Sequence, residues 1–330
     1  MKHSLIFLLL IGILACHSKK KPEANDLPPG IIPNPLIVQL TEEIKKTPDN
    51  AELYYKRGKE MFRSGVYAIA LQDLNKAISL DSSKPSYYLS LSDVYFTTNQ
   101  TRKAKEMLEK CVRIDKTNLE GNMKLAELYF YVQKYQLSLQ YLDNVLKQDV
   151  HNPKAYFEKG MNFKEMRDTA KAISNFQTVI EQDPNYYNAY MQLGILYSKR
   201  KNDLAIAYFT TAINLKHTSE EAYYARAYHF QQKGDFKKAR MDYDTLININ
   251  PRYLNAYYNL GYINMKEGSY DKAVKEFSLV YQLDTASDKA HYMAGLCYRA
   301  LKQNDKAKEE FKRAVALNPR NASATEELKK

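Results

Sequence analysis

Residues 254–283, LNAYYNLGYINMKEGSYDKAVKEFSLVYQL, contain the pattern on which the fold depends. Apolar residues recur three and four positions apart, which is typical of amphipathic helices. Two small residues, Gly261 and Ala273, stand among bulky neighbours, and five of the residues in this stretch are tyrosines. The segment therefore predicts a helical structure in which tyrosine fills a core, forms a binding surface, or does both.

The same pattern returns along the chain in a frame of 34 residues that starts at Ala51. Positions 8 and 20 of every repeat are small, and position 24 is large and apolar. The repeat that starts at Tyr187 is one residue shorter, around Lys201–Asp203. The position-8 residues are Gly58, Ser92, Ala126, Gly160, Gly194, Ala227, Gly261 and Gly295. The position-24 residues are Leu74, Leu108, Leu142, Phe176, Phe209, Tyr243, Phe277 and Phe311.

This spacing has a direct physical explanation. Two antiparallel helices joined by a short turn approach closely where they cross, and only Gly, Ala or Ser fits between them there. Large residues at position 24 then fill the space around the crossing. Pro184, Pro251 and Pro319 follow the second helix of their repeats, where proline cannot continue a helix. The chain is therefore predicted to be all-α.

Small residues at positions 8 and 20, aromatic residues at 11 and 24 and proline at 32 resemble the tetratricopeptide repeat (TPR) family. The resemblance covers residues 51–321 and implies a right-handed solenoid of about eight helix-turn-helix repeats. Residues 36–50 look like an N-terminal capping helix, and residues 322–330 like a polar C-terminal end. The repeats are expected at 51–84, 85–118, 119–152, 153–186, 187–219, 220–253, 254–287 and 288–321.

Some positions depart from the pattern of the family. Position 4, which is typically Trp, is mostly Tyr in this chain, and Trp is absent. The third repeat has Asn122 at position 4 and Ser138 at position 20, and the seventh has Asn264 where an aromatic residue is expected. We expect these departures to affect local stability rather than the fold.

In the TPR family the first helices line a concave groove, and positions 5 and 9 commonly contact a ligand. Position 9 is charged in the first three repeats of this chain and apolar or aromatic in the last five. The Lys-then-Asn clamp for C-terminal carboxylates, found in chaperone-docking members, is missing. Tyrosine at position 5 also packs partly against neighbouring repeats, so both roles stay open for it. The resemblance implies partner contacts at Phe157, Met191, Tyr224, Tyr228, Tyr258, Tyr262 and Tyr292.

The first residues of the chain have a separate character. Lys2 precedes an apolar run from Leu5 to Ala15 that fits a secretory signal and is too short for a typical membrane span. The run ends in Ile-Leu-Ala-Cys, which resembles the lipobox of bacterial lipoproteins and implies cleavage after residue 15 and lipid attachment at Cys16. An ordinary secretory signal is the alternative. Residues 16–35 are then expected to form a flexible tether. The resemblance to bacterial lipoproteins also implies the outer membrane, because the residue after the cysteine is His17 and not the Asp that retains such proteins at the inner membrane.

The sequence contains no motif for catalysis, for phosphate binding or for a metal site. His229 and His291 are expected to be packing or groove residues, and Cys111 and Cys297 small buried hydrophobes. The net charge of +11 is dominated by no single stripe, and an export signal disfavours nucleic acid as a partner. No cofactor is expected.

These observations favour a membrane-anchored, non-enzymatic adaptor of the cell envelope. It is expected to bind a protein or peptide in a tyrosine-rich groove, because tyrosine combines a large contact area with a hydroxyl group. Two alternatives remain at this point. One is a surface lipoprotein that binds carbohydrate or peptidoglycan, and the other is a non-catalytic subunit of an envelope enzyme complex.

Overall fold

A computed structural model of the protein describes residues 34–329. Within that range the chain forms eighteen α-helices joined by short turns, so the prediction of an all-α fold is confirmed. The predicted signal peptide, Cys16 and the tether as far as residue 33 lie outside the described residues. Among the described helices, none has the length and apolar character needed to cross a bilayer.

The described part of the chain divides into two compact units, the first ending at residue 128 and the second beginning at residue 129. The helices that begin in the first unit are α1 (Pro35–Lys46), α2 (Ala51–Arg63), α3 (Tyr67–Leu80), α4 (Pro85–Thr97), α5 (Thr101–Ile114) and α6 (Leu119–Tyr131). From α1 to α5, each helix packs against the next one along the chain. Helix α1 begins at Pro35, the last residue of the predicted tether, because proline is favourable in the first turn of a helix.

The second unit consists of helix pairs that also pack in chain order, and the first helices α10 and α12 touch each other as well. Its helices are α7 (Tyr135–Gln148), α8 (Pro153–Glu165), α9 (Thr169–Gln182), α10 (Tyr187–Lys199), α11 (Leu204–Leu215), α12 (Glu220–Gln232), α13 (Phe236–Ile249), α14 (Leu254–Lys266), α15 (Tyr270–Leu283), α16 (Asp288–Ala300), α17 (Asn304–Leu317) and α18 (Ala322–Glu327).

A close approach between positions 8 and 24 sets the geometry of the helix pairs. A Cβ atom added at Gly194 would lie 2.5 Å from the ring of Phe209, and one added at Gly160 would lie 2.6 Å from Phe176. Atoms in a close-packed interior do not approach to such distances. Position 8 is therefore glycine wherever position 24 is phenylalanine. The other two pairs of this kind are Gly261 with Phe277 and Gly295 with Phe311.

The turn inside each helix pair contains one residue in the left-handed region of backbone space. It is glycine in three repeats, for example Gly234 with a φ of +81°. The next residue donates its N–H to a carbonyl near the end of the first helix, as Asp235 does to Phe230 O at 2.9 Å. Such bonds satisfy carbonyl groups that the helix leaves free. Five repeats place a side chain at this position: Asn99, Gln133, Arg167, Lys201 and Lys302.

Several helices begin at a side-chain cap. Asn50 Oδ1 accepts a hydrogen bond from the N–H of Glu52 at 3.1 Å, and Asn152 Oδ1 accepts one from Ala155 at 2.9 Å. Caps of this kind satisfy N–H groups that have no partner inside the helix. These short polar residues therefore fix where the first helices of their repeats start.

The polar residues that depart from the TPR pattern are buried with hydrogen-bond partners. Asn122 Nδ2 donates to Asn118 O at 2.8 Å, and Ser138 Oγ accepts from Asn162 Nδ2 at 3.0 Å. Asn264 Oδ1 accepts from Arg240 Nη2 at 3.0 Å. Because a buried polar group is costly only when it lacks a partner, these residues are accommodated in the helical core.

A buried ion pair recurs in the first and sixth repeats. Arg226 on α12 donates from Nε and Nη2 to the two carboxylate oxygens of Asp242 on α13, at 2.8 and 2.7 Å. Its Nη1 donates to Thr210 Oγ1 of the preceding repeat at 2.8 Å. The first repeat has the same arrangement, in which Arg57 pairs with Asp73 and also donates to Thr41 on α1. Each arginine therefore links its own helix pair to the helix before it.

We expect Gly194→Ala to lower the free energy of unfolding by about 1–3 kcal/mol, because the added methyl group displaces the Phe209 ring. Phe209→Leu alone costs about 1 kcal/mol through the cavity it leaves. The double variant loses less than the sum, since leucine makes room for the methyl group. Urea denaturation followed by circular dichroism measures all three. Strictly additive costs would show that the two side chains do not compete for space.

Arg167 provides a test of the turn. A side chain in the left-handed region costs about 1–2 kcal/mol, so Arg167→Gly relieves strain and raises thermal stability, although added flexibility of the unfolded chain offsets part of the gain. The reverse change, Gly234→Ala, lowers stability by about 1 kcal/mol. Melting curves of both variants measure these effects. A shift of the melting temperature in the same direction for both would show that backbone strain at this turn position does not control stability.

Candidate functional site

The tyrosines predicted as partner contacts lie on the first helices of the last three repeats. Tyr224 and Tyr228 are one turn apart on α12, Tyr258 and Tyr262 occupy the same places on α14, and Tyr292 lies on α16. The Tyr228 side chain is 43% exposed, and the other four are partly buried. We call these five residues the tyrosine face.

Tyr224 is at the centre of an aromatic cluster. Its ring stacks on that of Tyr228, with centroids 6.2 Å apart and an angle of 17° between the planes. The centroids of Tyr253 and the buried Tyr243 lie 5.6 and 6.1 Å away. Asn259 Nδ2 on α14 reaches the Tyr224 hydroxyl over 3.5 Å, a long contact. Tyr228 thus presents its ring on a base that the surrounding side chains hold in place.

Tyr258, Tyr262 and Tyr292 all pack against the core cluster that contains Phe277. The ring of Tyr258 meets Phe277 edge-on, with centroids 5.4 Å apart. Lys266 Nζ lies 5.4 Å from the ring centroid of Tyr262, within the range of a cation–π contact. These tyrosines therefore combine a buried side with a side available to a partner.

The remaining two predicted contacts differ from each other. Phe157 is partly buried, and its ring lies 5.4 Å from Phe176 and 5.2 Å from Tyr186. Met191 is only 2% exposed and belongs to the core cluster around Phe209, so it has to be corrected from a partner contact to a core residue. A flexible thioether fills an irregular gap in a core well.

Carboxylates lie next to the tyrosine rings. Burial is the main cause that raises the pKa of Tyr253, and the charges of Glu220 and Glu221 raise it further. Burial also raises the pKa of Tyr258, to which the carboxylate of Asp288 adds. Both phenols therefore keep their protons at neutral pH and act as hydrogen-bond donors.

Two further tyrosines near this face were not predicted from the sequence. Tyr187 Oη is 2.6 Å from Ser219 Oγ, and the same Ser219 side chain caps α12 by accepting from the N–H of Ala222 at 3.2 Å. Tyr253 occupies the last position of its repeat. Tyr186 occupies that position in the fourth repeat, so a signal was present in the sequence.

Both histidines singled out in the sequence are buried. His229 Nδ1 is 3.0 Å from Ser198 Oγ, and its Nε2 is 3.5 Å from a carboxylate oxygen of Asp203. Asp203 also pairs with Lys233 at 3.1 Å. Because His229 is almost fully enclosed, these contacts hold the shortened turn between α10 and α11 against α12. His291 Nδ1 lies 2.6 Å from Glu310 Oε2.

The cysteines of the described range are also part of the core. Cys111 and Cys297 are free thiols with no exposed surface, and burial raises the pKa of each to about 11. Such thiols are largely unreactive at neutral pH. Across residues 34–329, no three or more His, Cys, Asp or Glu side chains are grouped to hold a metal ion.

Comparison with solved structures identifies similar folds. YrrB, described as a TPR protein with an unusual peptide-binding site, is 26% identical and aligns over 57% of this chain and 97% of its own, with a TM-score of 0.50. A tetratricopeptide repeat protein from Parabacteroides merdae ATCC 43184 is 19% identical over 75% of this chain and 98% of its own, with a TM-score of 0.54. A search of curated protein sequences gave no match.

Family profiles match four of the eight repeats individually, and a fifth match spans parts of the sixth and seventh repeats. Profiles described as tetratricopeptide repeat match residues 85–118, 154–186, 254–286 and 288–321, and one described as TPR repeat matches 228–268. The four matches to single repeats coincide with helix pairs in which a small residue at position 8 faces a large one at position 24, and the match to residues 228–268 covers α13 with α14. The chain thus belongs to the tetratricopeptide repeat family.

Proposed function

We propose that the protein is a non-enzymatic adaptor that binds a protein or peptide segment on the tyrosine face. The observation that carries this proposal is the exposed ring of Tyr228, stacked on the partly buried Tyr224. Phe157, with its partly buried ring, is the expected contact in the fourth repeat. The likeness to YrrB, a TPR protein with a peptide-binding site, supports this assignment.

The physical properties of the face suit an extended peptide. Tyrosine rings that already pack against the core lose little conformational freedom when a partner binds, so less of the binding energy is spent on ordering them. Their hydroxyl groups offer hydrogen bonds to a peptide backbone, and their rings bury apolar area. A surface of this kind is preorganised for a partner.

The second part of the proposal concerns location. The lipobox-like sequence before Cys16 supports lipid attachment at that residue, and the residues that follow would act as a tether to the membrane. We therefore place the adaptor in the cell envelope, more readily at the outer membrane than at the inner one. Its role there would be in envelope assembly or secretion, including as a non-catalytic subunit of an enzyme complex.

The double variant Tyr228→Ala/Tyr262→Ala tests the binding surface. We expect loss of partner capture in cells, measured by crosslinking and pull-down with the full-length protein, because the face loses the exposed ring of Tyr228 and the partly exposed ring of Tyr262. Circular dichroism should show unchanged helical content. Tyr131→Ala is the matched control, since this ring is 81% exposed and lies on α6, away from the tyrosine face. Retained capture by the double variant would contradict the proposal.

The same variants separate a protein partner from a glycan. Aromatic rings also stack on sugars. If the protein co-sediments with purified cell-wall polymer and the double variant does not, the partner is a carbohydrate and not a peptide. We expect no such difference.

Cys16→Ser tests the anchor. Without the thiol, a diacylglycerol has no attachment point, so the variant should not incorporate radiolabelled fatty acid and should leave the membrane fraction or remain unprocessed. Cys297→Ser serves as the control, because this buried thiol has no role in anchoring. Labelling of the Cys16→Ser protein would refute lipid attachment at this residue.

A further inference from the structure

We propose that the partner segment is cationic, and that an arginine or lysine side chain of it docks beside Glu221, against the tyrosine rings around the first turn of α12. This inference rests on the proposed function, because it names the chemistry of the partner that the tyrosine face binds. In this proposal, the region around Glu221 determines which partner segments the tyrosine face prefers.

The first turn of α12 is enclosed by tyrosines from two neighbouring elements. On one side, the hydroxyl of Tyr187 is tied to Ser219, the residue that caps α12. On the other side, Tyr253 packs against Tyr224, one turn along the same helix. Glu220 and Glu221, the first two residues of α12, therefore lie between these aromatic side chains.

The two glutamates differ in what they do. Glu220 Oε2 accepts a hydrogen bond from Asn250 Nδ2 at 3.0 Å, which fixes this carboxylate in place. Glu221 is exposed, and its charge acts on the hydroxyl groups of both Tyr187 and Tyr253, whose pKa values it helps to raise. Glu221 is thus the exposed carboxylate on the helix turn that Tyr187 and Tyr253 flank.

The protein itself shows that a cation is accepted here. Lys216, an exposed residue in the turn before α12, has its ammonium group 5.9 Å from the ring centroid of Tyr187. The faces of aromatic rings carry partial negative charge and attract cations, and a nearby carboxylate adds to the attraction. An incoming guanidinium would compete for the same environment and can stack on the ring as well as pair with the carboxylate.

The negative charge of the carboxylates near the tyrosine face also differs from the net charge of the chain. The chain carries a net charge of +11, so a group of carboxylates is opposite in sign to the charge of the chain as a whole. Asp288, which raises the pKa of Tyr258 together with burial, extends the negative region toward α16. Complementary charge of this kind selects the partner and orients it more than it adds affinity.

Fluorescence anisotropy with the full-length protein in detergent tests the proposal. The probes are three labelled twelve-residue peptides with identical apolar residues and three variable positions, filled by arginine, by its neutral analogue citrulline, or by glutamate. We expect the arginine peptide to bind at least tenfold more tightly than the citrulline peptide and the glutamate peptide most weakly. Added salt should reduce the preference, because charges near the surface are screened.

Glu221→Gln should abolish most of the preference for arginine over citrulline while leaving the citrulline affinity unchanged. Glu181→Gln is the matched control, because Glu181 is an exposed glutamate on the second helix α9. Equal affinity for the arginine and citrulline peptides, or a preference for arginine that survives Glu221→Gln, would overturn the cationic assignment. If Tyr228→Ala/Tyr262→Ala still abolishes partner capture in that case, the proposed adaptor function stands and only the partner chemistry is wrong.

Discussion

The fit of a phenylalanine ring against a glycine is the contact on which the helix pairs of the fourth, fifth, seventh and eighth repeats depend. At Gly194 the ring of Phe209 occupies the space that a Cβ atom would need, so the two helices approach to a distance that no other residue allows. The distance between the two helices determines which residues of the first helix remain at the surface. How far the tyrosines at positions 5 and 9 are exposed therefore depends on how closely the two helices cross.

The tyrosine face uses the same aromatic packing for a second purpose. Tyr224 is held by Tyr243 and Tyr253 in the way that a core residue is held, yet it supports Tyr228, whose ring is open to solvent. Rigid aromatic residues with one free side suit recognition, because their order is already provided by the fold. Core and surface are therefore parts of one continuous aromatic network in the sixth repeat.

The repeat pattern was sufficient to predict helix pairs, small residues at the crossings and the elements that carry Tyr228 and Tyr262. It was not sufficient for Met191, because position 5 is buried or accessible according to how the neighbouring side chains fill the gap. The link from Arg226 to Asp242 and Thr210 was also missed, since it joins residues 16 apart in both directions, across two repeats. Tyr253 was missed because it lies between two helices, where the helical period gives no side-chain direction; only the tyrosine at the same position of the fourth repeat, Tyr186, pointed to it.

The arginines that reach backward limit how modular this array can be. Arg57 donates one of its hydrogen bonds to Thr41 on α1. Helix α1 therefore takes part in a polar network in addition to covering apolar surface. In the same way, a fragment that began at α12 would keep the pair between Arg226 and Asp242 but lose the hydroxyl of Thr210. Recombination or domain shuffling that respects the 34-residue period would still separate these donors from their acceptors.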